Sequence, residues 1–240
     1  MKILAVECSA GPASAAIVEN GRILCQSSVN VKITHSQTLM PMVKGLLDNG
    51  LIALSDIDGI AVSAGPGSFT GIRIGISAVK GLAAPRELPC AAVSTLRAMA
   101  EPFRGQNTVV CAVMDARAGQ VYNALFEICG DSITRLCEDR ALMCSELAEE
   151  IEKICAAGKT VTVAGDGADL FYKFVSDISG VCIANENLKF QSAAAVALAA
   201  EPMFISGDTV TADRLLPVYL RLPQAERELK AKQAKGDKSK

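Results

Sequence analysis

The stretch of this chain best suited to chemistry is Ala64-Gly65-Pro66-Gly67-Ser68-Phe69-Thr70-Gly71-Ile72-Arg73-Ile74-Gly75. An apolar run, Ile57 to Val62, leads into it, and a helix-like segment, Ile72 to Ala84, follows. A glycine-rich turn between a buried strand and a helix gathers free backbone N–H groups at the helix start. Such a place binds an anion or lets another backbone come close. Gly65, Gly67, Ser68, Thr70, Gly71 and Arg73 are therefore candidate anion or nucleotide contacts. The loop lacks the Gly-Lys-Ser/Thr ending of a P-loop, and its glycines stand at a GxGxxxG spacing rather than that of a dinucleotide fingerprint. The competing reading is a structural turn, with Ser68 or Thr70 capping the helix.

The other candidates are single groups. Glu7 and Asp115 end what read as equivalent strands, and two such acids facing one cleft would hold a metal or a water; solvated or capping roles compete. His35-Ser36-Gln37-Thr38 reads as a helix start, with His35 as the alternative ligand or base. Asp115-Ala116-Arg117 reads as a tight turn or a substrate contact. His35 is the only histidine, so a Ser-His-Asp triad has one possible centre, and no GxSxG elbow supports it. The nine cysteines include no CxxC pair, which argues against zinc and against a disulfide framework. They read as reduced, mostly small core residues.

These groups need elements to hold them. Residues 2–7, 13–19 and 22–31 read as strands, the last two joined by Asn20-Gly21, a strong hairpin signal. A helix over 38–49, a strand over 57–64, the glycine loop and a helix over 70–84 follow. The second half echoes this order: strands 108–115, 120–128 and 132–137, a helix over 145–156, a strand over 160–164, and Gly165-Asp166-Gly167 opening a helix over 168–176. Residues 191–201 are rich in Ala and read as one more helix. Two similar α/β halves imply a duplicated architecture with a ligand cleft between them. The expected divisions are 1–104, 105–205, a C-terminal segment 206–223 that joins the first half, and a flexible charged tail, 224–240.

Both first-half helices carry apolar stripes. Leu39, Met40, Val43, Leu46 and Leu47 lie on one side of 38–49, where Pro41 is tolerated only if the helix starts near Thr38. Segment 70–84 holds two stripes, Ile72-Ile76-Val79-Ala83 and Gly71-Gly75-Ala78-Leu82, with only Arg73 and Lys80 charged. A helix apolar nearly all round is buried on both sides, within its own core or against another chain. Gly71 and Gly75 would let a neighbouring helix approach.

Composition narrows the class. Half of the 240 residues are hydrophobic and the net charge is −2, which gives no global case for nucleic-acid binding. Residues 224–240 carry +3, read as a solvated end or as a tail touching RNA phosphates. Nothing resembles a signal peptide or a membrane span, so the cytoplasm is expected.

Gly65 to Gly75, followed by Lys80-Gly81-Leu82-Ala83, resembles the signature of the bacterial TsaB (YeaZ) family. His35-Ser36-Gln37-Thr38-Leu39-Met40-Pro41, Val93-Ser94-Thr95-Leu96, Asp115-Ala116-Arg117 with Val121-Tyr122, and Pro217-Val218-Tyr219-Leu220-Arg221 are also similar. The resemblance implies a duplicated actin/hexokinase/acetate-kinase-like α/β fold. It implies a non-catalytic scaffold in the making of N6-threonylcarbamoyladenosine beside the anticodon of tRNAs reading codons that begin with A. The implied partners are the acyltransferase TsaD and the ATPase TsaE, with tRNA met through the complex and a homodimer in isolation. The implied partner surface is formed by the two first-half helices: Leu39, Met40, Val43, Leu46, Leu47, Ile72, Ile76, Val79 and Leu82. No catalytic residue, metal or required cofactor is assigned, and ATP or ADP is expected only weakly or in the complex. Glu7-Cys8-Ser9 stands where the family has Asp-Thr-Ser, and Gln37 where it has Glu; both departures argue against independent catalysis. The alternative is a stand-alone ATP-dependent small-molecule phosphotransferase of the same superfold.

Overall fold

A computed structural model describes residues 1–31 and 33–221. The first half contains β1 (Lys2–Glu7), β2 (Ala13–Glu19), β3 (Arg22–Val29), α1 (His35–Gly50), β4 (Gly59–Gly65), α2 (Phe69–Ala83), β5 (Cys90–Ser94) and α3 (Thr95–Ala98). The second half contains β6 (Gln106–Arg117), β7 (Gln120–Gly130), β8 (Ser132–Arg135), β9 (Arg140–Met143), α4 (Cys144–Ala156), β10 (Val161–Ala164), α5 (Ala168–Tyr172), β11 (Val181–Ile183) and α6 (Glu186–Lys189). α7 (Ala193–Ser206) and an extended segment to Arg221 follow. Among the described residues no helix is long and apolar enough to cross a membrane.

The duplication is visible in the strand order. The first sheet runs β3-β2-β1-β4-β5, and the second runs β8-β7-β6-β10-β11, the same order with β6 in the place of β1. Each central strand pairs antiparallel with the strand after it and parallel with the strand beyond the helix. Asn20 and Gly21 both have positive φ, 49° and 77°, the backbone that a two-residue hairpin with native twist requires. β5 and β11, which complete the sheets, and β9 are absent from the sequence reading. Cys90-Ala91-Ala92-Val93 lacks the run of large β-branched residues that marks a strand.

Four apolar layers hold the halves together. On one face of the first sheet, Leu4, Val6, Ile17, Ile60 and Val62 meet α1 and α2. On the other face, Ile3, Ala5, Ala16, Val18 and Ala61 meet α7 through Ala193 to Ala200. Alanines on both surfaces let helix and sheet pack closely. α7 therefore belongs to the first half, and the division at 105–205 is corrected: the chain returns to cover a sheet face that residues 1–104 pack only through Ala98 of α3. On the second sheet, Cys111, Val113, Val161 and Val163 pack under α4 and α5. Val110, Ala112, Phe126 and Ile128 face Leu96, Met99 and Phe103 between the halves.

Three further expectations change. Helix α1 begins at His35, so Pro41 stands inside it. Pro41 and Gln37 are both exposed, so the helical bond to the Gln37 carbonyl that Pro41 cannot make is lost on an exposed part of the helix. Helix α5 stops at Tyr172, short of the expected 176. The tail, 224–240, lies outside the described residues. All nine cysteines are free; four are buried, three half-buried and two exposed.

Candidate functional site

Two places deserve a chemical reading: the cleft between the halves and the outer surface of α1 and α2. The cleft holds about 460 Å3 and is lined by Ser9, Gly11, Ser68, Asp115, Arg117 and Asp166 among others. Both halves build its wall with the same turn. At the end of β1, the Ser9 N–H donates to Glu7 Oε1 at 2.5 Å; in the second half, the Arg117 N–H donates to Asp115 Oδ1 at 2.7 Å. Each acid thus accepts from the backbone two residues on and shapes the turn.

The two acids then part company. Glu7 is fully buried, and its other oxygen accepts from the Ser63 hydroxyl on β4. Burial pushes its pKa up, opposed by the hydrogen bonds from Ser63 and Ser9. The carboxyl group is a clip between β4 and the first turn, with both oxygens engaged. Asp115 is partly open to the cleft, and its other oxygen faces the exposed Arg117 guanidinium at 3.4 Å. The expected juxtaposition of Glu7 and Asp115 around a metal or water is therefore corrected at Glu7. Asp166 is the second acid that lines the cleft. Burial raises its pKa, opposed by a 2.8 Å hydrogen bond from Gln191 Nε2. Among the described residues no three His, Cys, Asp or Glu side chains come together as metal ligands.

The glycine loop engages two of its N–H groups, those of Ser68 and Gly71, on its own chain. The Ser68 N–H donates to the Ser9 carbonyl at 2.7 Å, and Ser68 Oγ caps α2 by accepting the Gly71 N–H at 3.3 Å. Gly65 and its counterpart Gly165 have φ of 132° and 112°. A Cβ at Gly65 would strike the Val218 carbonyl, and one at Gly165 the Val113 carbonyl. A Cβ at Gly71 would strike the Cys8 carbonyl. The close approach at Gly71 and Gly75 is thus to the chain's own β1 end and to Val62, not to a second helix, which corrects that expectation. Arg73 points the other way: its Nε–H donates to Tyr219 Oη at 2.7 Å, and Tyr219 stacks on Phe69 at 4.5 Å. Gly67 and Ser68 line the cleft, while Thr70 is exposed on the first turn of α2. His35 Nε2–H donates to the Ala10 carbonyl at 2.8 Å and so ties α1 to the first turn.

The α1–α2 surface redistributes the residues expected there. Leu39, Val43, Leu46, Ile72, Ile76 and Val79 are buried in the core above the first sheet. Side chains without exposed surface make no partner contact, so these six are corrected to core residues. Met40 is 42% exposed, and Leu47 and Leu82 are half-buried at the core's rim. Ile74 and Ala78, which are not among the residues expected at that surface, share that rim. Ser77 and Gly81 are exposed beside them, and a Cβ added at Gly45 or Gly81 meets nothing within 4 Å. The two helices that carry these small and apolar groups are in contact with one another.

Comparison with known proteins fits this architecture. The family model for TsaD, tRNA N6-adenosine threonylcarbamoyltransferase, matches residues 29–226. The tRNA threonylcarbamoyladenosine biosynthesis protein TsaB of Escherichia coli is 34% identical over 236 residues, 97% of this chain and all of that one. TsaB of Bacillus subtilis is 30% identical over 94% of this chain and 96% of its own. The chain belongs to the TsaB family. Among solved structures, YeaZ from Pseudomonas aeruginosa superposes with a TM-score of 0.75 at 29% identity, covering 91% of this chain and 99% of that one. The ethanolamine utilization protein EutJ from Carboxydothermus hydrogenoformans, at TM-score 0.50 and 11% identity over 83% of this chain and 90% of its own, shares the fold alone. The TsaB fold here is the duplicated actin/hexokinase/acetate-kinase-like α/β fold that the resemblance implied.

Within this TsaB-family chain, the motif residues divide by role. The signature at 65–75 makes a hinge that packs on Cys8, Ser9 and Val218. The segment 217–221 is a strap: the Val218 N–H donates to the Ala64 carbonyl at 2.7 Å, and Arg221 Nη1 donates to the Ala116 carbonyl at 2.7 Å. It joins the glycine loop of one half to the Asp115 turn of the other. Ser63 and Gln191, the partners of buried Glu7 and half-buried Asp166, carried no sequence signal, because an isolated Ser or Gln shows its partner only when the chain is folded.

Proposed function

We propose that this chain acts in tRNA threonylcarbamoyladenosine biosynthesis as a non-catalytic scaffold, binding TsaD and, with it, TsaE through the outer surface of α1 and α2. The observation that carries the reading is that surface. Met40, Leu47, Ile74, Ala78 and Leu82 keep apolar area in solvent on two adjacent helices, and Gly45, Ser77 and Gly81 leave room for another chain to approach. Apolar area buried there contributes about 25 cal/mol per Å2. In isolation the same surface pairs two copies of this chain.

The non-catalytic part rests on the acids. Glu7 occupies the position where a phosphate- or metal-handling group would face the cleft, and both its oxygens are engaged by Ser9 and Ser63. Nucleotide, on this reading, meets the chain only weakly or in the assembled complex. The rival phosphotransferase has the open cleft at Asp115 in its favour; tight Mg-ATP binding by the lone chain in calorimetry would decide for it.

The test separates the outer surface from the core. Ala78→Glu and Gly81→Glu are expected to abolish association with TsaD in size-exclusion and calorimetric assays while the melting temperature stays within a few degrees. Complementation of a strain lacking this chain, read by mass spectrometry of its tRNA, should fail with the same variants. Normal TsaD binding by both would remove the proposed surface.

A further inference from the structure

Each half has one residue skipped by its sheet ladder beside the cleft. β4 skips Ala64 in its register with β5, where Ser63 pairs with Val93 and Gly65 with Ser94. β6 skips Ala116 in its register with β7, where Asp115 pairs with Val121 and Arg117 with Gln120. A skipped residue loses its ladder partner, and both alanines are buried. A buried carbonyl in that state needs a donor from elsewhere in the chain. The strap supplies both donors. The Val218 N–H reaches the Ala64 carbonyl in the first half, and Arg221 Nη1 reaches the Ala116 carbonyl in the second, each at 2.7 Å.

The two ends of the strap are held unequally. Toward the first half, Val210 and Cys90 exchange backbone hydrogen bonds, Lys80 Nζ donates to the Asp213 carbonyl at 3.1 Å, and Leu215 is fully buried in the core beneath α1 and α2. Tyr219 then stacks on Phe69 and accepts from Arg73, both residues of α2. Toward the second half, the Arg221 bond is the one hydrogen bond among the described residues, with Leu220 packed at the edge of the apolar cluster between the halves. The turn it holds continues through Arg117 and Ala118 at φ 69° and 55°. Residues other than glycine keep that left-handed backbone only where their surroundings fix it.

We propose that residues 217–221 are a latch on the cleft. The strap stays with α2 and the first half, and it sets the width of the cleft through Arg221. Release of that one bond lets the Asp115 turn move away from Gly67 and Ser68, which line the opposite wall. A molecule that enters by widening the cleft therefore displaces one guanidinium and one leucine, not the whole strap. Local opening of this kind starts where the fewest contacts hold.

Hydrogen exchange read by mass spectrometry on the full chain tests the latch, with Arg221→Ala, Arg221→Lys and Tyr219→Ala beside the unaltered protein. Arg221→Ala should speed exchange across residues 113–122 about tenfold. It should also raise exchange in residues 95–104, where Leu96, Met99 and Phe103 face the second half, while residues 216–219 stay protected. Its thermal melt should match that of the unaltered protein. Arg221→Lys keeps a cationic donor and should restore most of the protection at 113–122. Tyr219→Ala removes the grip of α2 and should release 216–219 and 113–122 together. No change at 113–122 in Arg221→Ala overturns the latch. So does a rise there with none at 95–104, since the bond would then support one turn and not the seam between the halves. An equal rise at 216–219 in the same variant overturns the anchoring on the first half.

Discussion

The halves of this molecule share one strand order and one turn, and they have been put to different uses. In the first, the acid of the turn is Glu7, buried and clipped to Ser63. In the second it is Asp115, partly open to the cleft and facing Arg117. The first glycine loop leads into a fifteen-residue helix, the second into one of five. One half has become rigid at its turn and extended at its helix; the other keeps an open turn and a short helix. The same strand order thus carries a closed acid turn with a long helix in one half and an open acid turn with a short helix in the other.

The largest test of this contrast separates the two sides of α2. Ile76→Glu buries an unpaired carboxylate in the first core and should cost more than about 4 kcal/mol, enough to lose the folded state in a thermal melt. Ile74→Glu, one turn-face away, should keep the melt. Equal effects of the two would erase the inner and outer faces described above.

Next comes the pair of turns. Glu7→Ala leaves the Ser9 N–H and the Ser63 hydroxyl without an acceptor in a buried place, at a cost of about 3 kcal/mol. Asp115→Ala, beside solvent, should cost under about 1 kcal/mol in urea unfolding. Titration sharpens this. Burial raises the folded pKa of Glu7 above its ordinary 4.5, so the folded state holds this proton more tightly than the unfolded chain. Its contribution to stability is complete below pH 4.5 and is lost as pH rises through the folded value. Glu7→Gln should flatten the fall in urea midpoint above pH 4.5, and an unchanged profile would contradict a buried ionising Glu7.

Smaller effects separate two glycines of α2. Gly71→Ala pushes a methyl onto the Cys8 carbonyl and should cost about 2 kcal/mol. Gly81→Ala meets open space at an exposed helix position and should stabilise by about 0.5–1 kcal/mol. A thermal-shift series that moved both in the same direction would show that the loop is not tightened against β1.

The repeat was legible because Asn20-Gly21, the acids at 7 and 115, and the paired Gly-x-Gly loops recur at matching places. The completing strands were not, since Cys90 to Ser94 and Val181 to Ile183 are short and gain their strand character only from the neighbours they pair with. Most residues expected to face a partner lie on the inner side of α1 and α2. Periodicity at 3.6 residues shows that a stripe exists, but the larger residues Ile72, Ile76 and Val79 turn toward whichever sheet is nearest. What remains outside is the thinner line of Ile74, Ala78 and Leu82. The role of Glu7 was hidden because its decisive partner, Ser63, lies 56 residues away.

Helix α7 gives the chain a schedule. Apart from Ala98 of α3, the Ile3, Ala5, Val18 and Ala61 face of the first sheet is packed by α7, which is made after the whole second half. During synthesis at roughly 5–20 residues per second, the gap of about 100 residues between β5 and α7 leaves that face bare for on the order of 5–20 s. The first half leaves the ribosome before the helix that completes it, and the second half has emerged by the time that helix arrives. The two halves therefore mature together, and anything that binds the bare face in that interval, whether a chaperone or another nascent copy, competes with the molecule's own last helix.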